Sequence, residues 1–130
     1  MKPEYIIIHH TAHTEDVPIE TIRKWHKDRG FKDVGYHYYI RKNGKVEVGR
    51  QETEQGAHCR AGGMNRKSIG ICLAGDFTKQ EPTPEQIKSC KVLVYSIQSR
   101  YDIKDVLGHS EVEGASTLCP AFDVGQVKSL

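Results

Sequence analysis

Apolar residues along the chain recur in two periods, every second position or every third to fourth, and each such stretch predicts an element. Glu4 to His9 carries Tyr5, Ile6, Ile7 and Ile8 without a polar break, which suits a central strand covered on both faces. Its end delivers His9 to an edge of the sheet, and His10 points to the opposite face if the strand continues. Pro18 to Arg29 places Ile19, Ile22, Trp25 and His26 on one face at helical spacing, with Gly30 set to end the helix. Trp25 reads as core, and His26 as a packed or capping residue. His13, in the polar loop between, reads as solvated.

Tyr36 to Lys42 alternates Tyr36, Tyr38 and Ile40 against His37, Tyr39 and Arg41. Asn43-Gly44 then supplies φ > 0 residues for a tight hairpin turn, and Lys45 to Gly49 returns as the second strand. Arg50 to Lys67 holds glycines at 56, 62 and 63 with few apolar residues, so a long loop is expected there, of the kind that lines a site. Ser68 to Ala74 is another buried strand, with Ile69, Ile71 and Leu73 alternating with Gly70 and Cys72. Thr83-Pro84-Glu85-Gln86 starts a helix with a capping threonine, an early proline and a glutamine three residues after the cap. That helix runs to about Arg100 and buries Ile87, Cys90, Val94, Ile97 and Tyr101. Val106-Leu107-Gly108 is a short strand feeding His109, and Asp123 with Gln126 caps a last helix. Strands alternate with helices around one inserted hairpin, which predicts an α/β fold with a central mixed sheet flanked by helices.

Length and charge narrow the function. A chain of 130 residues fits a single domain, 1–130, able to bury roughly two thirds of its unfolded surface without staples. A formal charge of +2 with no basic block gives no nucleic-acid footprint. No run approaches the length of a membrane span, and no export signal opens the chain. Cys59, Cys72, Cys90 and Cys119 match no disulfide scaffold. Cys72 and Cys90 read as buried free thiols, and Cys59 as either a bland surface position or a reactive one.

His9 and His109 each close an apolar run, and Cys119 follows His109 by ten positions. Two imidazoles and a thiolate make a ligand set that leaves a catalytic zinc one open position for water. The same set occurs in blue-copper sites, but neither Met1 nor Met64 stands where an axial ligand is wanted. Spacing alone does not establish a metal site. The surroundings add to it: Asp33-Val34-Gly35-Tyr36-His37-Tyr38, Asn43 to Arg50, Ser68-Ile69-Gly70-Ile71 and Thr117-Leu118-Cys119-Pro120 occur in that order. With His9, these segments resemble the zinc-dependent N-acetylmuramoyl-L-alanine amidases of the phage-lysozyme and peptidoglycan-recognition-protein type, and the resemblance covers nearly the whole chain.

The resemblance implies the mixed-sheet fold, zinc held by His9, His109 and Cys119, and hydrolysis of the bond between N-acetylmuramic acid and L-alanine in peptidoglycan or a muropeptide. Zinc would lower the pKa of its water towards ~7 and polarise the substrate carbonyl. Tyr36 takes the family's catalytic tyrosine position, as a donor beside the metal, although on the residues alone it reads as a core aromatic. Thr117 stands where phage-type members have lysine and many recognition proteins have threonine. Its hydroxyl either assists the reaction or orients Cys119, in a loop two residues longer than the phage-type pattern. His58 and Asn65 fall in the region that forms the groove wall, which implies substrate binding; on the residues alone they read equally as exposed loop residues. Arg60, Arg66 and Lys67 offer cations for stem-peptide carboxylates, or a solvated surface.

Two further readings stand beside the enzyme: a silent peptidoglycan-binding module, and a fold held by structural zinc with Cys59 or His58 as fourth ligand. Recognition-only members commonly lack the ligand cysteine, and this chain has Cys119 together with Tyr36. The expected partner is peptidoglycan, the expected state a monomer. The expected route is synthesis in the cytoplasm followed by release to the wall or export by another system.

Overall fold

The computed structural model describes residues 1–130. Strand β1 (Tyr5–His10) is an interior strand of a five-stranded sheet, with helix α1 (Ile19–Asp28), strands β2 (Tyr38–Ile40), β3 (Val46–Val48) and β4 (Ser68–Leu73), helix α2 (Pro84–Arg100) and strand β5 (Asp105–Gly108) following in chain order. The strand order is β3-β2-β4-β1-β5, with every pairing parallel except the β2–β3 hairpin. The unbroken isoleucines follow from this position, since β1 has a neighbour on each side and both faces covered.

Alternation sorts the side chains into two faces. Ile6, Ile8, Ile69, Ile71, Leu73 and Ile40 pack with Cys90, Val94 and Ile97 of α2 in the largest apolar cluster. At roughly 1.5–3 kcal/mol for each such side chain, this face contributes most of the burial energy. Register places Ile7 opposite Gly70 and His9 opposite Cys72 on the other face. There Tyr39, Cys72 and Ala74 meet Ile19, Ile22 and Val34, and Ile7 meets Cys59, Met64 and Val112.

Helix α2 begins as its sequence predicts: Thr83 and Gln86 form the reciprocal capping box. Gln86 is buried in the expected apolar stripe, where its amide donates to the Ile40 and Ala74 carbonyls and locks the helix start to the ends of β2 and β4. Helix α1 ends as expected, with Gly30 at φ +93°. The hairpin strands are shorter than their alternation suggests. Only Gly44 in the turn has positive φ: its N–H donates to Arg41 O, while Asn43 accepts from Lys45 N–H through its side chain. The predicted terminal helix is a single 3₁₀ turn, Val124–Gln126, capped by Asp123 alone, because three residues offer no apolar face to dock. The 50–67 loop contains a 3₁₀ segment, Ala61–Arg66, that passes through Gly62 and Gly63 in the left-handed region. No helix is long and apolar enough to cross a membrane.

A candidate metal centre at the end of the sheet

Strand β1 carries His9 to the carboxyl edge of the sheet, and β5 runs parallel to it, so the chain leaves β5 at His109 beside His9, ring centroids 4.8 Å apart. The intervening loop returns because Ser110 N–H donates to Cys119 O at 2.7 Å, which closes the stretch from 109 to 119 and brings the thiol back. One ligand atom from each of His9, His109 and Cys119 lies within 4.8 Å of the other two. Cys119 Sγ stands 3.6 Å from His9 Nδ1. Ligand bonds of ~2.05 Å to nitrogen and ~2.3 Å to sulfur at a tetrahedral angle separate the two atoms by about 3.6 Å, so this pair fits one shared metal.

The electrostatics suit a cation. Burial pushes the Cys119 thiol up to about 11, despite the His10 N–H that reaches its sulfur at 3.3 Å. Burial likewise holds His9 well below the usual imidazole range and lowers His109. The histidines are therefore neutral donors, and a cation among the three groups is what would stabilise the thiolate.

Tyr36 lies with its ring 5.2 Å from that of His9, on the side of the sheet facing Cys72, not on the side of Tyr38 and Ile40. The alternation breaks because β2 starts only at Tyr38: Gly49 and Arg50 donate to the His37 and Tyr36 carbonyls in succession, so both residues turn towards the site. Burial raises the Tyr36 hydroxyl well above its ordinary range, with the Cys72 and Cys119 sulfurs adding to the effect, and keeps it protonated as a donor. His26, which the sequence pattern reads as packed or capping, is a support: its Nδ1 accepts Gly35 N–H at 2.8 Å and its ring rests 5.4 Å from Tyr36.

His58 is buried rather than exposed on the loop. Its Nδ1 is 2.8 Å from His9 Nε2, and its Nε2 is 3.3 Å from Ser68 Oγ. Burial lowers its pKa to about 3. The Asn65 side-chain oxygen accepts the N–H groups of both His58 and Cys59, each at 2.8 Å, so it shapes the loop that presents His58. Thr117 Oγ1, exposed, accepts Cys119 N–H at 3.1 Å. Cys59 is a buried thiol beside Met64 and Val112 with its sulfur towards Ala61 O, and His58 faces His9 with its near nitrogen. Neither joins the group of three, and Met64 packs in the same apolar cluster as Cys59.

An open groove of about 560 Å³ leads to the site, lined by His58, Asn65 and His109 together with Arg29, Phe31 and Arg60. Of the three cations that sequence reading offered, only Arg60 reaches it. Arg66 lies against Gly63, and Lys67 over the Tyr5 ring. Arg29 was not anticipated; its guanidinium stands 5.1 Å above Phe31, a pairing that no local pattern predicts. Ser68 was also missed, although Ser68, Gly70 and Cys72 form a row of small residues alternating with Ile69, Ile71 and Leu73, a signal that one face of β4 makes room for something.

Residues 1–122 match the family described as N-acetylmuramoyl-L-alanine amidase. The endolysin of Escherichia phage T7 is 37% identical over 119 residues, covering 88% of this chain and 76% of that protein. The solved structure of N-acetylmuramoyl-L-alanine amidase LysC from Clostridium intestinale superposes with a TM-score of 0.91 at 34% identity, over 98% of this chain and 84% of its own. A Drosophila PGRP-LB mutant in complex with tracheal cytotoxin follows the same course at 27% identity, TM-score 0.81, over 92% of this chain and 75% of its own. With the match spanning nearly the whole chain, and His9, His109 and Cys119 gathered beside Tyr36 at the groove, the chain belongs to the N-acetylmuramoyl-L-alanine amidase family.

Proposed function

We propose that the chain hydrolyses the amide bond between N-acetylmuramic acid and L-alanine in peptidoglycan, using a zinc ion held by His9, His109 and Cys119. The observation that carries this reading is the convergence of three uncharged or ionisable donors at the end of an open groove, in a chain of this family. Two imidazoles and a thiolate favour zinc over harder cations. When bound, zinc supplies a Lewis acid that polarises the scissile carbonyl and makes water a competent nucleophile at neutral pH.

The chain's own residues do the rest. Tyr36 keeps its proton and donates to the oxygen that gains charge in the transition state. Arg29 and Arg60 give the groove positive charge suited to the carboxylates of a stem peptide. Asn65 holds the wall by fixing the backbone at His58 and Cys59. Thr117 orients Cys119 through the N–H it accepts. The site is complete within one chain, which supports action as a monomer, and its substrate lies in the wall, reached after release or export.

The alternative, a binding module without activity, is disfavoured because Cys119 and Tyr36 are both present and both face the site. Digestion of purified sacculi followed by mass identification of the released ends decides between them. Free L-alanine amino ends matched by intact muramic acid are expected, with none from Cys119→Ser. Cleavage within the glycan or the stem peptide, or binding without cleavage, would overturn the assignment.

A further inference from the structure

Ser68, His58 and His9 form a buried hydrogen-bonded line whose proton positions follow from its far end. Met64 O is a carbonyl and only accepts, so the Ser68 hydroxyl, 2.6 Å away, spends its one proton there. Ser68 Oγ is then left with lone pairs only, and His58 Nε2, at 3.3 Å, must be the donor. A neutral His58 ring with hydrogen on Nε2 has a bare Nδ1, which accepts at 2.8 Å from His9 Nε2–H. That leaves the bare nitrogen of His9 at Nδ1, the atom 3.6 Å from Cys119 Sγ. Reversing any one bond leaves two lone pairs or two hydrogens facing each other in a buried place.

The fold makes room for this line independently of any hydrogen-bond assignment. A Cβ on Gly70 would lie 2.6 Å from His58 Cγ, and one on Gly56 would lie 2.6 Å from His58 Cδ2. Neither glycine has the positive φ that would explain it by backbone conformation. Both are small because the His58 ring occupies the space, and Asn65 anchors the peptide that carries that ring.

We propose that Ser68 and His58 are positioning residues that hold His9 as the Nε2–H tautomer, so that its Nδ1 lone pair faces the metal position before any metal arrives. A metal-bound histidine ordinarily donates its second N–H to a carboxylate or a carbonyl, which accept in any state. Here the acceptor is another imidazole, which accepts only in one of its two tautomers, and Ser68 with the Met64 carbonyl selects that one.

The inference rests on His9 being a ligand, and its test separates the two. Long-range ¹H–¹⁵N correlation on the metal-free protein is expected to show His9 and His58 each with a protonated Nε2 and a bare Nδ1. A principal Nδ1–H form of His9 in the wild-type protein would overturn the proposal without any variant being made. Ser68→Ala is expected to mix the tautomers of both rings and to weaken zinc by about 10- to 100-fold in chelator competition. A folded Ser68→Ala with lower thermal stability, unchanged tautomers and zinc affinity within twofold of wild type would show mere packing and overturn it. Wild-type protein that has the expected tautomers and binds no zinc would support the positioning line and overturn the metal reading instead.

Discussion

The two faces of the sheet are built from alternate residues of the same strands, yet they hold together by different means. Towards α2, β1 and β4 present Ile6, Ile8, Ile69, Ile71 and Leu73, and the neighbours are apolar except for Gln86, whose polar end is spent on two carbonyls, and His10, whose Nδ1 accepts Phe77 N–H. Towards the groove the same strands present Ile7, His9, Ser68, Gly70 and Cys72, and much of what is buried there is polar and hydrogen-bonded. His37 is an instance: its Nδ1 accepts Gly70 N–H at 3.0 Å, and its Nε2 is 2.8 Å from Glu54 O. The apolar face tolerates exchange of one branched aliphatic for another at a cost set by volume. On the groove face each partner is specified, because a buried donor or acceptor left alone costs more than the bond was worth. The larger apolar cluster lies on one side, and most of the buried polar partnerships lie on the other.

If that division is right, Ile97→Ala is expected to give the largest loss of stability, about 2–5 kcal/mol in denaturant unfolding, while zinc affinity per folded molecule stays within twofold. A comparable loss of metal affinity would show that the faces are coupled. Tyr36→Phe tests the other side: it removes a hydroxyl and keeps the ring beside His9, so turnover should fall by ~100-fold or more with little change in melting temperature. A fall below about tenfold, roughly 1.4 kcal/mol, would make Tyr36 a packing residue.

A third test uses the acid limb of the stability curve. Glu52 accepts from Arg100, Tyr38 and Tyr101 outside the groove, and these bonds, Arg100 first, hold its carboxyl at about 2 against an ordinary value of about 4.5. The folded state therefore binds this proton less readily than the unfolded chain. The resulting stability is fully present above about pH 4.5 and is lost as pH falls towards 2. With Arg100 partly exposed, about 1–2 kcal/mol should disappear over that window, and Glu52→Gln should flatten it. An unchanged acid limb in that variant would remove Glu52 from the account. The smallest effect is expected from Thr117→Val, which deletes the acceptor of Cys119 N–H on an exposed loop. Zinc affinity should drop by about tenfold, and turnover of the zinc-loaded protein should hardly change. The reverse pattern would make the hydroxyl a participant in the reaction.

Much of this was legible before the fold was known. The isoleucine run of β1, the alternation of β4, the capping box of α2 and the positions of His9, His109 and Cys119 all rest on local pattern or on motifs that sit in the chain as contiguous words. The misreadings have a common origin. Alternation alone puts Tyr36 on the face of Tyr38 and Ile40, whereas the family resemblance puts it beside the metal position; alternation holds only within a strand, and β2 begins two residues later. The terminal helix was read from a capping residue, yet a cap does not supply an apolar stripe to bury.

His58 and Asn65 show where local reading stops. Both stand in a polar, glycine-rich stretch that reads as exposed loop, and both are engaged inside, His58 with a histidine 49 positions away and Asn65 with two peptide N–H groups. Hydrophobic periodicity records how much of a side chain is buried and on which face. It carries no record of which distant polar atom a given donor meets. The sequence by itself determined the strands, the helices, the family motifs and the identity of three donor side chains. The tertiary structure supplied what local pattern does not carry: the backbone course that brings the three donors together and turns Tyr36 towards them, the entry of Arg29 into the groove, and the buried line from Ser68 through His58 to His9. Hydrogen bonds in a site of this kind join residues brought together by sheet order, and sheet order is a property of the whole chain.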